Sequence, residues 1–431
     1  MDKMFKRTLL GAAVTAAMIA APSAMANTES AVGGQYVEKL NEFIHGASLS
    51  AVVATDTRYR SKDTGAGYQA GQDYTDYNAI LNFSSGYHEG WLGFDAGGYF
   101  SGSLYNNTGC SEITLCDGWS RSDDSLKLTT AALKFKTGEA ETKFGFLQSR
   151  GIGTVGNVWS FVPGTYRGAT VVAPVGDWTL GYIFTDDHSA PWWENTNKSS
   201  FDADGNPNGE NAFNSLQSLG LNGSVGDVTL NLGVGYARIG NNEDNTSYKF
   251  MAKLPLFETA SLAFDFYGVS SDVDYDGLGY MTGVSYAQSF DALTWNSEVR
   301  YADSDNNQAV TPRTVRAYGS NNGTFSQYWN ALSDWDQSGQ LSWYNKLSYN
   351  FGNGWFVAGG LALSTVDDNN VNTYDSEYAV NADIGYSVQS GSLKGSTVKL
   401  HLTQLTRDMN DGSEFDWQDI RFQVIIPYNF F

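Results

Sequence analysis

Eighteen stretches of alternating apolar and polar residues, joined by connections that are by turns tight and long, constrain this chain more than any other feature. Val228, Leu230, Leu232, Val234 and Tyr236 form one such face. Leu293, Trp295, Ser297, Val299 and Tyr301 form another, and Tyr378, Val380, Ala382, Ile384, Tyr386 and Val388 a third. A strand sends successive side chains to opposite faces, so each run offers one face to an apolar medium and one to water. The runs lie near 46–60, 76–88, 90–104, 125–137, 140–149, 166–174, 177–186, 213–224 and 227–240. They continue near 246–255, 258–269, 277–290, 291–302, 336–350, 353–365, 375–389, 394–407 and 417–431. Tight connections fall at 88–90, 137–139, 175–177, 224–227, 290–291 and 352–354, and long ones over 61–75, 105–124, 150–165, 187–212, 303–335 and 408–416. An even number of strands with short turns at one end and long loops at the other is the pattern of a bacterial outer-membrane barrel. A soluble sandwich has no reason to keep that asymmetry over eighteen strands. The expected fold class is all-β: a transmembrane antiparallel β-barrel of about 18 strands, with short periplasmic turns and long extracellular loops, over residues 46–431.

The termini agree. Lys3, Lys6 and Arg7 precede an apolar run from Leu9 to Ala21 and then Ala24-Met25-Ala26. That is a charged n-region, a core too short to span a bilayer and an A-x-A cleavage site, so 1–26 reads as a signal peptide. At the other end, Ile420-Arg421-Phe422-Gln423-Val424-Ile425-Ile426-Pro427-Tyr428-Asn429-Phe430-Phe431 puts apolar side chains on even positions. In an outer membrane that face meets lipid, and its aromatic end sits at the interface. Residues 27–45 fall outside the alternation; Val37, Leu40 and Ile44 allow a short helix, leaving a periplasmic tail and a lumen plug as alternatives. The expected surroundings are outer-membrane lipid and lipopolysaccharide.

Composition limits the functions. The chain has 47 Gly, 25 Tyr, 24 Phe and 12 Trp but only 8 Pro, with a negative mean hydropathy, as expected when alternate strand residues meet lipid. Losing Asp2, Lys3, Lys6 and Arg7 with the leader moves the formal net charge from −21 to −23. Nucleic acid, which needs a basic surface, is therefore excluded as a partner. Only four histidines are present, and none is placed beside a nucleophile on the upper wall; His188 near Asp186, Asp187 and Ser189 is adjacency, not a triad. No catalytic residue, metal or cofactor is expected, and an outer-membrane hydrolase stands as the alternative from another class. Asp272, Asp274, Asp276 and Gly277 copy the opening of a calcium loop, but its twelfth position is Gly283 rather than Glu. Cys110 and Cys116 share one polar segment of an exported chain, which suits a loop disulfide better than a zinc pair.

The lumen side of the strands collects charge. Arg58, Arg60, Lys134, Lys136, Lys143, Lys249, Lys253, Arg300, Lys346, Lys399 and Arg421 fall on inward positions, as do Asp56, Asp95, Asp265, Glu298, Asp383 and Asp419. Loop 150–165 carries Trp159 and Phe161, runs on to Tyr166, and is too apolar to extend into water; it is expected to fold inward and narrow the barrel. The next long loop brings Trp192 and Trp193. Aromatic faces beside charged neighbours suit sugar rings, although they also suit plain packing of a loop on the wall.

Three stretches carry a family resemblance: Trp159 through Gly168, Thr185 to Trp192, and Leu393-Lys394-Gly395 through Lys399-Leu400-His401 to the C-terminal Ile426-Pro427-Tyr428-Asn429-Phe430-Phe431. They resemble the OprD-type family of substrate-specific outer-membrane porins, especially its chitoporin branch. The resemblance implies an eighteen-stranded, monomeric barrel that passes small solutes by facilitated diffusion, chitooligosaccharides first and basic amino acids as the alternative. It also implies inward-folded loops at the constriction and a basic ladder on one wall. Arg58 and Arg60, with Lys346, Lys399 and Arg421, are the residues offered for that ladder, with Arg300 beside them as a further lumen cation.

Overall fold

The computed structural model describes residues 43–63, 68–107, 116–117, 120–121, 125–148, 151–155, 164–189, 213–239, 243–272, 274–310, 332–367 and 374–431. Its strands are β1 (Ser48–Asp63), β2 (Tyr68–Ser84), β3 (Leu92–Asn106), β4 (Cys116–Asp117), β5 (Ser120–Arg121), β6 (Ser125–Thr137), β7 (Ala140–Leu147), β8 (Thr165–Val175), β9 (Trp178–Ser189) and β10 (Phe213–Val225). After them come β11 (Val228–Ile239), β12 (Glu243–Phe257), β13 (Ala260–Ser271), β14 (Gly277–Phe290), β15 (Leu293–Ser304), β16 (Gln340–Asn350), β17 (Trp355–Thr365), β18 (Tyr374–Ser387), β19 (Thr397–Met409) and β20 (Glu414–Asn429). β4 and β5 pair only with each other, inside a loop. The other eighteen make one antiparallel sheet that closes on itself through β1 and β20, from Ser50 opposite Asn429 to Asp63 opposite Asp416. Closure leaves no sheet edge, the condition for strands to stand in lipid.

The alternation falls as the sequence predicts. On β20, Ile420 and Phe422 are 45% and 44% exposed, whereas Asp419 between the strands' inner faces is 3% exposed. Phe290, Phe351, Trp355, Tyr428 and Phe430 crowd the periplasmic rim on the outside, Tyr349 meeting Phe351 at 4.9 Å between ring centroids and Trp355 meeting Tyr386 at 5.2 Å. Amphipathic rings at that height sit where hydrocarbon gives way to headgroups. Three periplasmic hairpins use the same two-residue turn: Gly138, Gly176 and Gly226 have φ of 60°, 61° and 58° in the first central position. Glycine reaches that region without strain, and the turn's twist matches that of the flanking strands.

Two connections differ from expectation. The stretches 61–75 and 408–416 are not long loops. β1 and β2 continue their ladder to Asp63 opposite Tyr68, and β19 and β20 to Asp408 opposite Glu414. Above the lipid both faces of a hairpin are wet, so the ladder persists on backbone bonds while the apolar alternation that signals a strand disappears. Before β1, Phe43 lies against Phe94, an outward residue, at 6.0 Å between centroids, and its carbonyl accepts from the Gly86 amide at 2.9 Å. The chain thus joins the barrel from the outer side of its periplasmic rim. Residues 1–42, which contain the expected signal peptide and most of the segment 27–45, lie outside the described residues.

Candidate solute pathway through the barrel

One wall of the lumen is a continuous polar array built by strand register. Arg60, Asp419, Thr403 and Asn381 align across β1, β20, β19 and β18, and Arg58, Arg421, His401 and Asp383 form the neighbouring row. Arg58 donates to Asp419 through Nε (2.9 Å to Oδ1) and Nη2 (2.5 Å to Oδ2), and Arg60 Nη2 reaches the same carboxylate at 3.4 Å. Arg421 Nη2 donates to Asp56 at 3.2 Å; Gln423 and Tyr74 donate to it at 2.9 and 2.7 Å. Asp383 lies 2.7 Å from His401 Nδ1 and 3.6 Å from Lys346 Nζ, and His401 Nε2 is 2.7 Å from the Thr403 hydroxyl. Lys399 follows on β19, opposite Gln423. Arg58, Arg60, Lys346, Lys399 and Arg421, the five residues offered for the basic ladder, therefore share this wall. Arg300 stands apart on β15, opposite Ser342 and 3.7 Å from the Glu298 carboxylate. Carboxylates interleaved with the cations fix their directions and leave a dense set of oriented donors and acceptors.

The opposite wall seats a loop. Residues 151–155 fold inward against β9–β12, which agrees with the expectation for the loop they begin. Thr154 N donates to Ser218 Oγ at 2.9 Å, and Ser247 Oγ donates to Thr154 Oγ1 at 2.7 Å. Ile152 and Val155 join Leu147, Tyr166, Ile183 and Leu216 in one apolar cluster. The backbone approaches so closely because the wall carries glycines there. A Cβ on Gly220 would fall 2.4 Å from Gly153 N, one on Gly233 2.7 Å from Gly153 C, and one on Gly235 2.1 Å from Thr154 Oγ1. In the sequence this seat leaves no trace beyond the glycines at inward positions of β10 and β11. Tyr166 is 1% exposed and packs 4.7 Å from His188, so it supports the root of the loop. Trp159, Phe161, Trp192, Trp193 and Cys110 lie outside the described residues, and Cys116 is placed only as backbone in β4.

A second inward piece comes from the long connection after β15. Trp335, 1% exposed, covers Tyr344, Ala362, Ala379 and Leu405. Ser333 holds it there by donating to Glu377 Oε1 at 3.1 Å, and Arg407 donates to both Ser333 and Glu377 at 2.9 Å. At the periplasmic end, Asp95 bridges Lys134 (3.0 Å) and Lys143 (2.6 Å). Burial and the neighbouring Glu141 carboxylate push the Tyr87 phenol up in the turn below, so it stays protonated and donates to Glu141. Among the described residues no group of three His, Cys, Asp or Glu is placed to hold a metal ion. In the aspartate-rich turn, Asp274 accepts from Asn245 at 2.9 Å.

No protein-family model matches the chain. Chitoporin of Escherichia coli (strain K12) is 26% identical over an alignment 452 positions long, gaps included, which covers 90% of this chain and 93% of chitoporin. Among solved structures, OccAB2 of Acinetobacter baumannii superposes with a TM-score of 0.71 at 16% identity, over 90% of this chain and all of that one. OccK3 (OpdO) of Pseudomonas aeruginosa superposes with a TM-score of 0.68 at 19% identity, over 93% of this chain and all of that one. A closed eighteen-stranded wall, loops folded against its inside and these likenesses lead to one conclusion: the chain is an integral outer-membrane β-barrel porin, similar in sequence to chitoporin and in fold to OccAB2 and OccK3.

Proposed function

We propose that this porin is a substrate-selective channel for chitooligosaccharides. The observation that carries the reading is the polar wall on β1, β20, β19, β18 and β16, where each of Asp419, Asp56 and Asp383 holds cations in a fixed direction. Such a wall offers many weak hydrogen-bonding positions in sequence, which suits a neutral, hydroxyl-rich solute that must keep moving. The likeness to chitoporin along 90% of the chain supports the same choice. Trp159, Phe161, Trp192 and Trp193 are assigned as apolar platforms; Tyr166, expected as a fifth, is buried and supports the root of the loop instead. Arg58, Arg60, Arg300, Lys346, Lys399 and Arg421 are assigned as partners of hydroxyl and N-acetyl oxygens. The channel needs no cofactor and works by diffusion alone.

A solute screen in planar bilayers tests this. Chitohexaose should interrupt the ion current of the purified, refolded protein, and Trp159→Ala should shorten those interruptions more than it changes conductance. Blockade by arginine or lysine, with none by chitohexaose, would move the assignment to basic amino acids. Turnover of an ester or peptide by the purified protein would favour the hydrolase.

A further inference from the structure

Next to the loop seat, the lumen holds a lysine and an aspartate that attract each other across the wall without a hydrogen bond or close ion pair between them. Lys249 on β12 stands in register between Gly233, under the inward loop, and Tyr267 on β13. Asp265 lies two residues along β13, diagonal to it, and so on the same face of the wall. Lys249 is 5% exposed, yet its ammonium makes no hydrogen bond or ion pair among the described residues. Asp265 Oδ1 is sealed from solvent and also lacks a hydrogen-bond partner. Beyond Asp265 the same row passes through Gly283 to Arg300. Gly283 puts no side chain there, and a Cβ on it would touch only the Val299 carbonyl, at 3.2 Å.

A buried ammonium offers only donors and a carboxylate only acceptors. Left unmatched, each carries a desolvation cost that a ligand removes by bonding to it. A group that satisfies both at once must present an acceptor to one side and a donor to the other. A trans secondary amide does so, because its C=O and N–H point in opposite directions from one plane. We propose that Lys249 and Asp265 form a subsite for the acetamido group of an N-acetylated sugar, a deepening that rests on the chitooligosaccharide reading. Lys249 donates to the amide oxygen, Asp265 accepts from the amide N–H through Oδ2, the carboxylate oxygen that is not sealed, and the space at Gly283 takes the methyl group. A sugar hydroxyl in the same place engages one partner and leaves the other unmatched. The subsite therefore selects the acetamido group over the hydroxyl it replaces.

Single-channel recordings of the full-length protein with chitohexaose and cellohexaose, which differ in that group, test the assignment. Wild type should hold chitohexaose longer. Asp265→Asn, which keeps the shape, and Lys249→Met should each shorten the chitohexaose interruptions about tenfold, the worth of one hydrogen bond to a charged group. Cellohexaose interruptions, which depend on one partner at most, should shorten in no more than one of the two variants. Unaltered chitohexaose residence in Asp265→Asn would overturn the subsite while leaving the channel's sugar preference standing, and so would an equal loss for both sugars. Wild-type protein that chitohexaose does not interrupt would overturn both readings together.

Discussion

Arg58 in the first strand of the barrel and Asp419 in the last are joined by a two-pronged ion pair across the closing seam, both side chains 3% exposed. Backbone pairing of β1 with β20 already closes the sheet, so this pair acts on the inner face as a lock on register. The pair runs diagonally, since Arg58 stands opposite Arg421 and Asp419 opposite Arg60, so sliding the seam would change its two-pronged geometry.

Breaking the lock should therefore cost stability. Asp419→Asn removes the charge but keeps the shape and leaves a buried guanidinium uncompensated, an effect of roughly 3 kcal/mol. Urea titration of the refolded barrel, followed by tryptophan fluorescence, should show a lower midpoint. Arg60→Ala should shift it less, because Arg60 meets Asp419 at only 3.4 Å and is partly exposed.

The loop seat gives a second expectation. With Cys110 and Cys116 replaced by Ser, a Thr154→Cys, Ser247→Cys pair should cross-link during export, since the two hydroxyl oxygens are 2.7 Å apart. Conductance should stay that of wild type, because the bond fixes what is already there. Gly235→Val should act in the opposite sense: its side chain would occupy the place of Thr154 Oγ1 and Ser247 Oγ, and the unseated loop should admit larger neutral polymers. Failure of the pair to cross-link, with Gly235→Val excluding the same polymers as wild type, would mean the loop does not rest on this wall.

Much of this was legible beforehand, and the exceptions have physical causes. β6 (Ser125–Thr137) and β14 (Gly277–Phe290) coincide with their expected spans because lipid on one side and water on the other keep the alternation strict to both ends. The upper parts of β1, β2, β19 and β20 rise beyond the lipid, where nothing enforces an apolar face, so they read as loop. The inward phase of Arg58 and Asp419 was visible, but not their meeting: 361 residues separate them, and only closure of the sheet brings them together. Gly233 and Gly235 looked like any glycines in a strand, since the segment they admit, 151–155, belongs to a distant part of the chain.

We propose that Cys110 and Cys116 form a disulfide across five intervening residues. So short a ring contributes about 2 kcal/mol at most by loop-closure entropy, so its effect should be on the shape of one loop rather than on folding. Mass spectrometry of protein from outer membranes, with alkylation before and after reduction, should find no free thiol until reductant is added. Two thiols alkylated at once would remove the assignment.

We propose that the barrel is monomeric. Analytical ultracentrifugation in detergent should give a protein mass near that of one chain. A stable trimer would require part of the outward apolar wall to face protein instead of lipid.

Single-channel recording in a planar bilayer tests the central claim most directly. An open lumen lined by the Arg58–Asp419 and Arg421–Asp56 wall, narrowed by the seated loop, should give discrete current steps that are small and uniform. Insertion of the folded protein without any ion-conducting step would contradict the account.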